Sequence, residues 1–237
     1  MRAGAEYLST FLRNNEDIQA LSTHHLRLPL PIIPRININL LMMFRHPIER
    51  VSSVYHFEKL QEPACTLGSI KAKELSFSEY VLWRMRPDVP PTIRNFHTVR
   101  CLPKRNFLKF PINELDLVNA KEFVANVQLL GLVDKFDDSM VLFESVLRES
   151  NLEVDLSYQA QNVSQGLKVG VESRVCAIKD KLGDVFNILL QNNQYDILLY
   201  DFAVSELDKR IKALPDRENK MQDFESRRKS VHVQILS

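Results

Sequence analysis

The sequence predicts an α/β domain with a mainly parallel sheet, and two observations lead to that prediction. Residues 36–44 form a short, nearly continuous apolar run, which is typical of a strand buried on both faces of a parallel sheet. The segments after it show helical spacing of apolar residues, interrupted by further short strand-like runs. Strands that alternate with helices favour a parallel sheet covered by helices.

The first half of the chain supplies the elements around that strand. Apolar residues at helical spacing predict a helix over 5–14, with no strand before it. Pro47 stands where a helix begins, and the helical pattern runs on to about Leu60. We expect a loop over 61–75 and then a helix over Phe77–Met85, capped by Ser76 or Ser78. Prolines make extended connections on either side, at Pro29, Pro31, Pro34, Pro87, Pro90 and Pro91.

The second half continues the alternation up to a charged end. The predicted elements are strands at 106–110 and 129–133, helices at 120–128, from 137, at 174–190 and at 193–213, and a surface loop over 150–172. Between residues 206 and 229, 14 of 24 positions are charged with mixed signs, which indicates a solvated helix face. We therefore expect one domain over 1–213 and a charged helix or tail over 214–237.

Composition excludes several classes of protein. The 237 residues are 45% hydrophobic and 26% charged, as in globular proteins, with a net charge of +1. This balance does not favour nucleic acid or a membrane surface as a partner, so any anion site must be local. The three cysteines lie far apart, and no histidine or acidic cluster has metal-ligand spacing, so we expect neither disulfides nor a metal. There is no apolar run of 18 residues.

Arg45 is the first candidate for binding chemistry. It follows the apolar strand and precedes the Pro47 helix, and ligands of open α/β sheets bind beyond the carboxyl ends of strands. A guanidinium there can grip phosphate with two N–H groups, and Ser53 in the helix can add a hydroxyl. The alternative is an arginine that caps a nearby carboxylate.

Residues Arg45 to Tyr55, RHPIERVSSVY, closely resemble the 3′-phosphate motif of sulfotransferases that use 3′-phosphoadenosine 5′-phosphosulfate (PAPS). The motif has Arg, Asp or His, Pro, a second Arg, Ser and Tyr at fixed positions, and all are met here. The resemblance implies a P-loop-like three-layer fold, no metal, and a 3′-phosphate held by Arg45 and Ser53. For Arg50, a structural ion pair is the alternative.

Three later segments resemble the carbohydrate branch, typified by heparan sulfate and uronyl 2-O-sulfotransferases and their bacterial relatives. They occur in matching order: Asn95-Phe96-His97-Thr98, where the family has Gln in place of His97; residues 131–139, GLVDKFDDS; and residues 195–200, YDILLY. The resemblance therefore implies a carbohydrate or another hydroxyl compound as the acceptor.

The start of the chain departs from the family. Members have a strand and then a Pro-Lys-Thr-(Ala/Gly)-Gly loop that cradles the 5′-phosphosulfate. Here Gly4 fits that loop, Arg2 is the substitute cation, and Glu6 replaces a hydroxyl residue. We expect the first strand to be missing, either because the chain is a fragment or because the loop has decayed. An upstream apolar anchor would place the protein in the Golgi; otherwise we expect the cytoplasm.

Sulfuryl transfer also needs a general base. In this branch the base is a histidine some twenty residues before the motif. His24 and His25 lie 21 and 20 residues before Arg45, so one of them is the candidate. Lys168 falls in the loop that family members place over the nucleotide, and it is a candidate phosphate contact.

Two functions from different classes follow. The first is a sulfotransferase that moves a sulfuryl group from PAPS to a carbohydrate hydroxyl. The second is a non-catalytic domain of the same fold that binds a partner or glycan, which the missing loop lysine favours. A nucleotide kinase is disfavoured because the chain has no GxxxxGK[ST] sequence.

Overall fold

The computed structural model describes residues 5–15, 17–22, 28–103, 111–159 and 169–236. Over these ranges the protein is mixed α/β and mostly helical, with two strands that pair in parallel. The predicted α/β class is thus confirmed in its coarse form. The described helices and strands are α1 (Ala5–Arg13), β1 (Leu41–Phe44), α2 (Pro47–Leu60), α3 (Leu67–Glu74), α4 (Phe77–Met85), α5 (Phe96–Arg100), α6 (Glu114–Asn126), β2 (Leu129–Leu132), α7 (Phe136–Glu149), α8 (Val171–Leu182), α9 (Val185–Asn192), α10 (Gln194–Lys212) and α11 (Arg217–Leu236).

The parallel pairing of β1 and β2 positions the site. Their register runs from Leu41 opposite Leu129 to Phe44 opposite Leu132. Both strands therefore end at the same edge of the sheet. β1 leads there directly into α2, and β2 leads into the 3₁₀ turn Val133–Lys135 and then α7.

Helices cover both faces of this small sheet. On one face Phe44, Leu130 and Leu132 pack with apolar residues of α6 and α10. On the other face Leu129 and its neighbours pack with α7 and α11. A third cluster joins α2, α4, α8 and α9 beside the sheet.

Gly131 allows α7 to approach the sheet closely. A Cβ at this position would lie 2.5 Å from Met43 Sδ and 2.7 Å from Phe143 Cζ, well inside van der Waals contact. The adjacent residue is also fixed to α7, because Leu132 N–H donates to Ser139 Oγ at 3.0 Å. Ser139 Oγ in turn donates to the carbonyl of Lys135 at 2.6 Å.

The structure corrects several predicted boundaries. The predicted loop over 61–75 contains α3, whose first turn is closed by reciprocal bonds between Thr66 and Ser69. The strand predicted from residue 36 begins only at Leu41, because Ile33 and Ile36 pair across a tight turn with Arg35 at φ 68°. The predicted helix over 174–190 is divided into α8 and α9 at Gly183, which has φ 54°. The strand predicted at 106–110 lies outside the described residues.

The charged C-terminal segment forms α11, which docks on α7. Phe224 is completely buried between them. Arg227 binds Glu144 with Nη2–Oε2 at 2.7 Å, and Arg228 binds Asp137 with Nη1–Oδ2 at 2.6 Å. No described helix has the length and apolarity that crossing a membrane would require.

Candidate functional site

Arg45 leaves the carboxyl end of β1 and stands two residues before α2. Its Nε is buried and has no hydrogen-bond partner, and its side chain forms no ion pair within the described part of the chain. The alternative of an arginine that caps a carboxylate therefore finds no support among these residues. A buried guanidinium N–H without a partner is costly, and an anionic ligand would satisfy it.

The start of α2 adds a second attraction for anions. Pro47 opens the helix after His46, so the free N–H groups of its first turn point toward the strand edge. Glu49 lies in this first turn and is almost fully buried. Ser53 is half-buried, further along the same helix. Of the seven sequence-predicted site residues, the structure places Arg45 and Ser53 in this region; the others lie outside the described residues, namely Arg2, Gly4, His24, His25 and Lys168.

Arg50 has a structural role in α2. Its guanidinium carbon lies 3.4 Å from the centroid of the Phe96 ring, and its Nη1 donates to the carbonyl of Thr92 at 2.7 Å. The pKa of Arg50 is lowered to about 10, mainly by burial; Asp196 opposes the shift, and the charges of Arg100 and Arg45 act in the same direction as burial. The side chain stays cationic at neutral pH, and positive charge is thus concentrated beside β1.

The Asn95–Thr98 and Tyr195–Tyr200 segments are joined by reciprocal caps. Asn95 Oδ1 accepts from the N–H groups of Tyr195 and Asp196, both at 3.1 Å, at the start of α10. Asp196 accepts in return from His97 N–H at 2.9 Å and from Thr98 N–H and Oγ1 at 2.8 Å, at the start of α5. These caps hold the starts of α5 and α10 together, so Asn95 and Asp196 have a structural role.

A partly buried ionic network connects the two strand ends. Arg174 of α8 binds Glu49 through Nε and Nη2, and its Nη2 lies 2.6 Å from Asp134 Oδ1. Tyr200 donates its hydroxyl proton to Asp134 Oδ2 at 2.8 Å. Burial is the main cause that raises the pKa of Tyr200, and its bond to Asp134 adds to it. One guanidinium faces two carboxylates, so the network keeps a net negative charge, and it fixes α2, α8 and α10 around the edge of the sheet.

His46 lies between Arg45 and this network. Its ring meets the Tyr200 ring edge-on with centroids 5.2 Å apart, and its Nδ1 is buried without a hydrogen-bond partner. Burial lowers the pKa of His46, although Glu49, Asp134 and Asp201 oppose the shift. The imidazole is therefore neutral at neutral pH and can accept a proton.

A cavity of about 700 Å³ opens beside His46 at the carboxyl ends of both strands. Asp134 and Tyr200 of the network form part of its wall, and α8, α9 and α10 complete it. This position is where open α/β sheets bind ligands. Within the described ranges, no three histidine, cysteine or acidic side chains are grouped so as to hold a metal ion.

Sequence reasoning found only part of this site. It predicted no role for Arg174, Asp134 or Tyr200, and it included His46 only as a fixed position of the phosphate motif, at the start of the helix. Asp134 and Tyr200 lie inside segments that carry the family resemblance, which was a usable signal. Nothing near Arg174 in the sequence indicates its role, because its partner Glu49 is 125 residues away.

Comparisons with known proteins supply a relative but no function. No family model matches the chain, and no solved structure matches it. A protein of Archaeoglobus fulgidus is 29% identical over 199 residues, which cover 82% of this chain and 78% of the archaeal one. Its name is "Uncharacterized protein", so it attributes no activity to either chain.

Proposed function

We propose that the protein is a sulfotransferase that moves a sulfuryl group from PAPS to a hydroxyl of a carbohydrate acceptor. The observation that supports this most strongly is the buried, unpartnered Nε of Arg45 at the end of β1. It stands immediately before the helix that contains Ser53, in the residues that resemble the 3′-phosphate motif. Two helix layers around a parallel sheet support the finer proposal of a P-loop-like three-layer fold.

Each group has a chemical task in this proposal. Arg45, Ser53 and the first turn of α2 bind the 3′-phosphate, and Arg2, Gly4 and Lys168 contribute on the nucleotide side. The acceptor hydroxyl attacks sulfur while the bond from sulfur to the bridging phosphate oxygen breaks. The hydroxyl proton passes to a base, for which His24 and His25 are the candidates, and 3′,5′-adenosine bisphosphate leaves. Positioning and charge stabilisation provide the catalysis, and no metal is required.

Calorimetry with 3′,5′-adenosine bisphosphate tests the proposal. We expect the full chain to bind it and Arg45→Ala to weaken binding about 10- to 100-fold, the range for a lost hydrogen bond to a charged group. Arg148→Ala is the matched control, because Arg148 is an exposed arginine on α7, away from the strand ends. Absence of bisphosphate binding, or equal loss in both variants, contradicts the proposal.

A non-catalytic domain of the same fold is the second candidate. It is supported by Glu6, which lies in the first turn of α1 and places a carboxylate where a helix dipole would otherwise attract phosphate. Sulfate transfer from radiolabelled PAPS to mixed glycans separates the two candidates. Turnover that Arg45→Ala abolishes establishes the enzyme, whereas bisphosphate binding without any turnover favours the binding domain.

A further inference from the structure

The cavity beside His46 differs chemically from the cationic site at Arg45. One part of its wall is apolar, formed by side chains of α8, α9 and α10: Val171, Val175, Phe186 and Val204. His46 and Tyr200 also line the cavity. An aromatic face with polar groups around it suits a ring that is apolar on its faces and hydroxylated at its edges.

The charges at the cavity that are left unneutralised are mainly negative. Asp134 is bound by Arg174, and Lys135 Nζ is bound by Asp208. This leaves the exposed carboxylates of Glu172 and Asp201 against the single amine of Lys179, none of which has an ion pair within the described part of the chain. Carboxylate oxygens accept hydrogen bonds from hydroxyl and ammonium groups and repel other carboxylates.

The cavity also adjoins the proposed donor site. Arg45 and His46 are consecutive residues at the end of β1, and the second of them lines the cavity. A molecule in the cavity would therefore lie at the same edge of the sheet as a nucleotide held by Arg45. The bisphosphate contacts and the cavity belong to the same edge of the sheet.

We infer that this cavity binds the acceptor, and that the acceptor is a neutral or amine-bearing carbohydrate and not an acidic one. The identification of the ligand as an acceptor rests on the proposed function. The charge preference follows from the cavity itself. It departs from the uronic acid chains that heparan sulfate and uronyl 2-O-sulfotransferases would lead one to expect.

Cys176 provides a readout that needs neither donor nor turnover. It is exposed and lines the cavity. Cys65 is the other exposed cysteine, so Cys65→Ser leaves Cys176 as the reactive thiol, while Cys101 is buried. The rate at which iodoacetamide, a neutral reagent, alkylates Cys176 is measured by mass spectrometry in the presence of each of three candidate ligands, used as probes. These are oligomers of N-acetylglucosamine, oligomers of glucosamine, and an unsulfated polymer of glucuronate and N-acetylglucosamine.

We expect the neutral and amine-bearing probes to slow alkylation of Cys176 at least threefold, and the acidic polymer to leave it unchanged. Glu172→Lys combined with Asp201→Lys should reverse this preference, because two repulsions of the acidic polymer become attractions. The ratio of protection by the acidic polymer to protection by the amine-bearing probe should rise about tenfold. Glu122→Lys, which changes an exposed carboxylate of α6 outside the cavity, should keep the original order. Thermal unfolding of each variant is measured as the control for correct folding.

Two sets of results overturn the inference. Protection by none of the three probes does so, and so does protection by the acidic polymer equal to or better than the others. Calorimetry with 3′,5′-adenosine bisphosphate on the same Cys65→Ser protein separates this failure from that of the proposed function. Bisphosphate binding without protection of Cys176 rejects the cavity assignment alone, and protection without bisphosphate binding rejects the sulfotransferase alone.

Discussion

Acidification should destabilise this protein through His97, and His97→Gln should remove that effect. His97 is only 8% exposed, and its ring packs against Phe44 with centroids 5.0 Å apart. Burial lowers the pKa of His97 to about 4, with Arg50 acting in the same direction and Asp196 opposing. Glutamine is close in size and polar but does not titrate, and it is the residue that the resembling family has there.

The sign and the magnitude follow from linkage. In the unfolded chain His97 takes up a proton near its ordinary pKa of 6.5, whereas in the folded protein it does so only near 4. The unfolded state therefore binds more protons between these values, and stability falls as the pH falls through them. From pH 7.5 to 5.0 the loss from this group is about 2 kcal/mol, since one pKa unit corresponds to about 1.4 kcal/mol.

Urea unfolding at pH 7.5 and 5.0 measures this quantity for both proteins. The fall in unfolding free energy between the two pH values should be about 2 kcal/mol smaller in His97→Gln than in the original protein. His46 and His56, whose pKa values burial also lowers, remain in both proteins and cancel in the comparison. Equal falls in the two proteins would refute the reasoning. They would mean that the negative charge of Asp196, 3.7 Å from His97 Nδ1, keeps the imidazole protonated in the folded protein.

Three other substitutions should change stability by different physical causes. Gly131→Ala forces a methyl group within 2.7 Å of two side chains, so thermal unfolding should show a loss of about 1–3 kcal/mol. Phe224→Ala should cost about 3–5 kcal/mol and expose α11 to limited proteolysis, whereas Phe57→Ala, at a 65% exposed position, should do neither. Arg174→Gln leaves the buried carboxylate of Glu49 unpaired and should cost about 3–5 kcal/mol at neutral pH by urea unfolding; an unchanged midpoint would show that the network is not buried.

Sequence predicted best those elements whose signals are local. The predicted bounds of α2 and α4 agree with the structure because Pro47 and Ser76 mark their first turns. α3 was missed because its capping box closes with Ser69, where Glu or Gln is the usual sign. Such a serine looks the same in a loop and in a helix.

The candidate site divides in the same way. Arg45 could be placed from sequence because the end of an apolar run and the start of a helix locate it. Its lack of an ion-pair partner could not be predicted from the sequence, because the nearby carboxylate of Glu49 is bound by Arg174, which lies 125 positions further along the chain. The cavity likewise forms only where α8, α9 and α10 pack beside the end of β2, and the spacing of residues along the chain does not predict that packing.

Arg174 explains why Arg45 has no carboxylate partner although acidic residues lie at the same edge of the sheet. Glu49 is four residues beyond Arg45 and in the first turn of α2, so it would be the natural ion-pair partner of Arg45. Arg174 bonds to both Glu49 and Asp134 from α8, so both carboxylates are engaged there, although its single charge offsets only one of them. Arg45 is left without a carboxylate among the described residues, and a bound anion is the remaining way to satisfy its buried N–H. The network that shapes the cavity is thus also what keeps the proposed phosphate contact open.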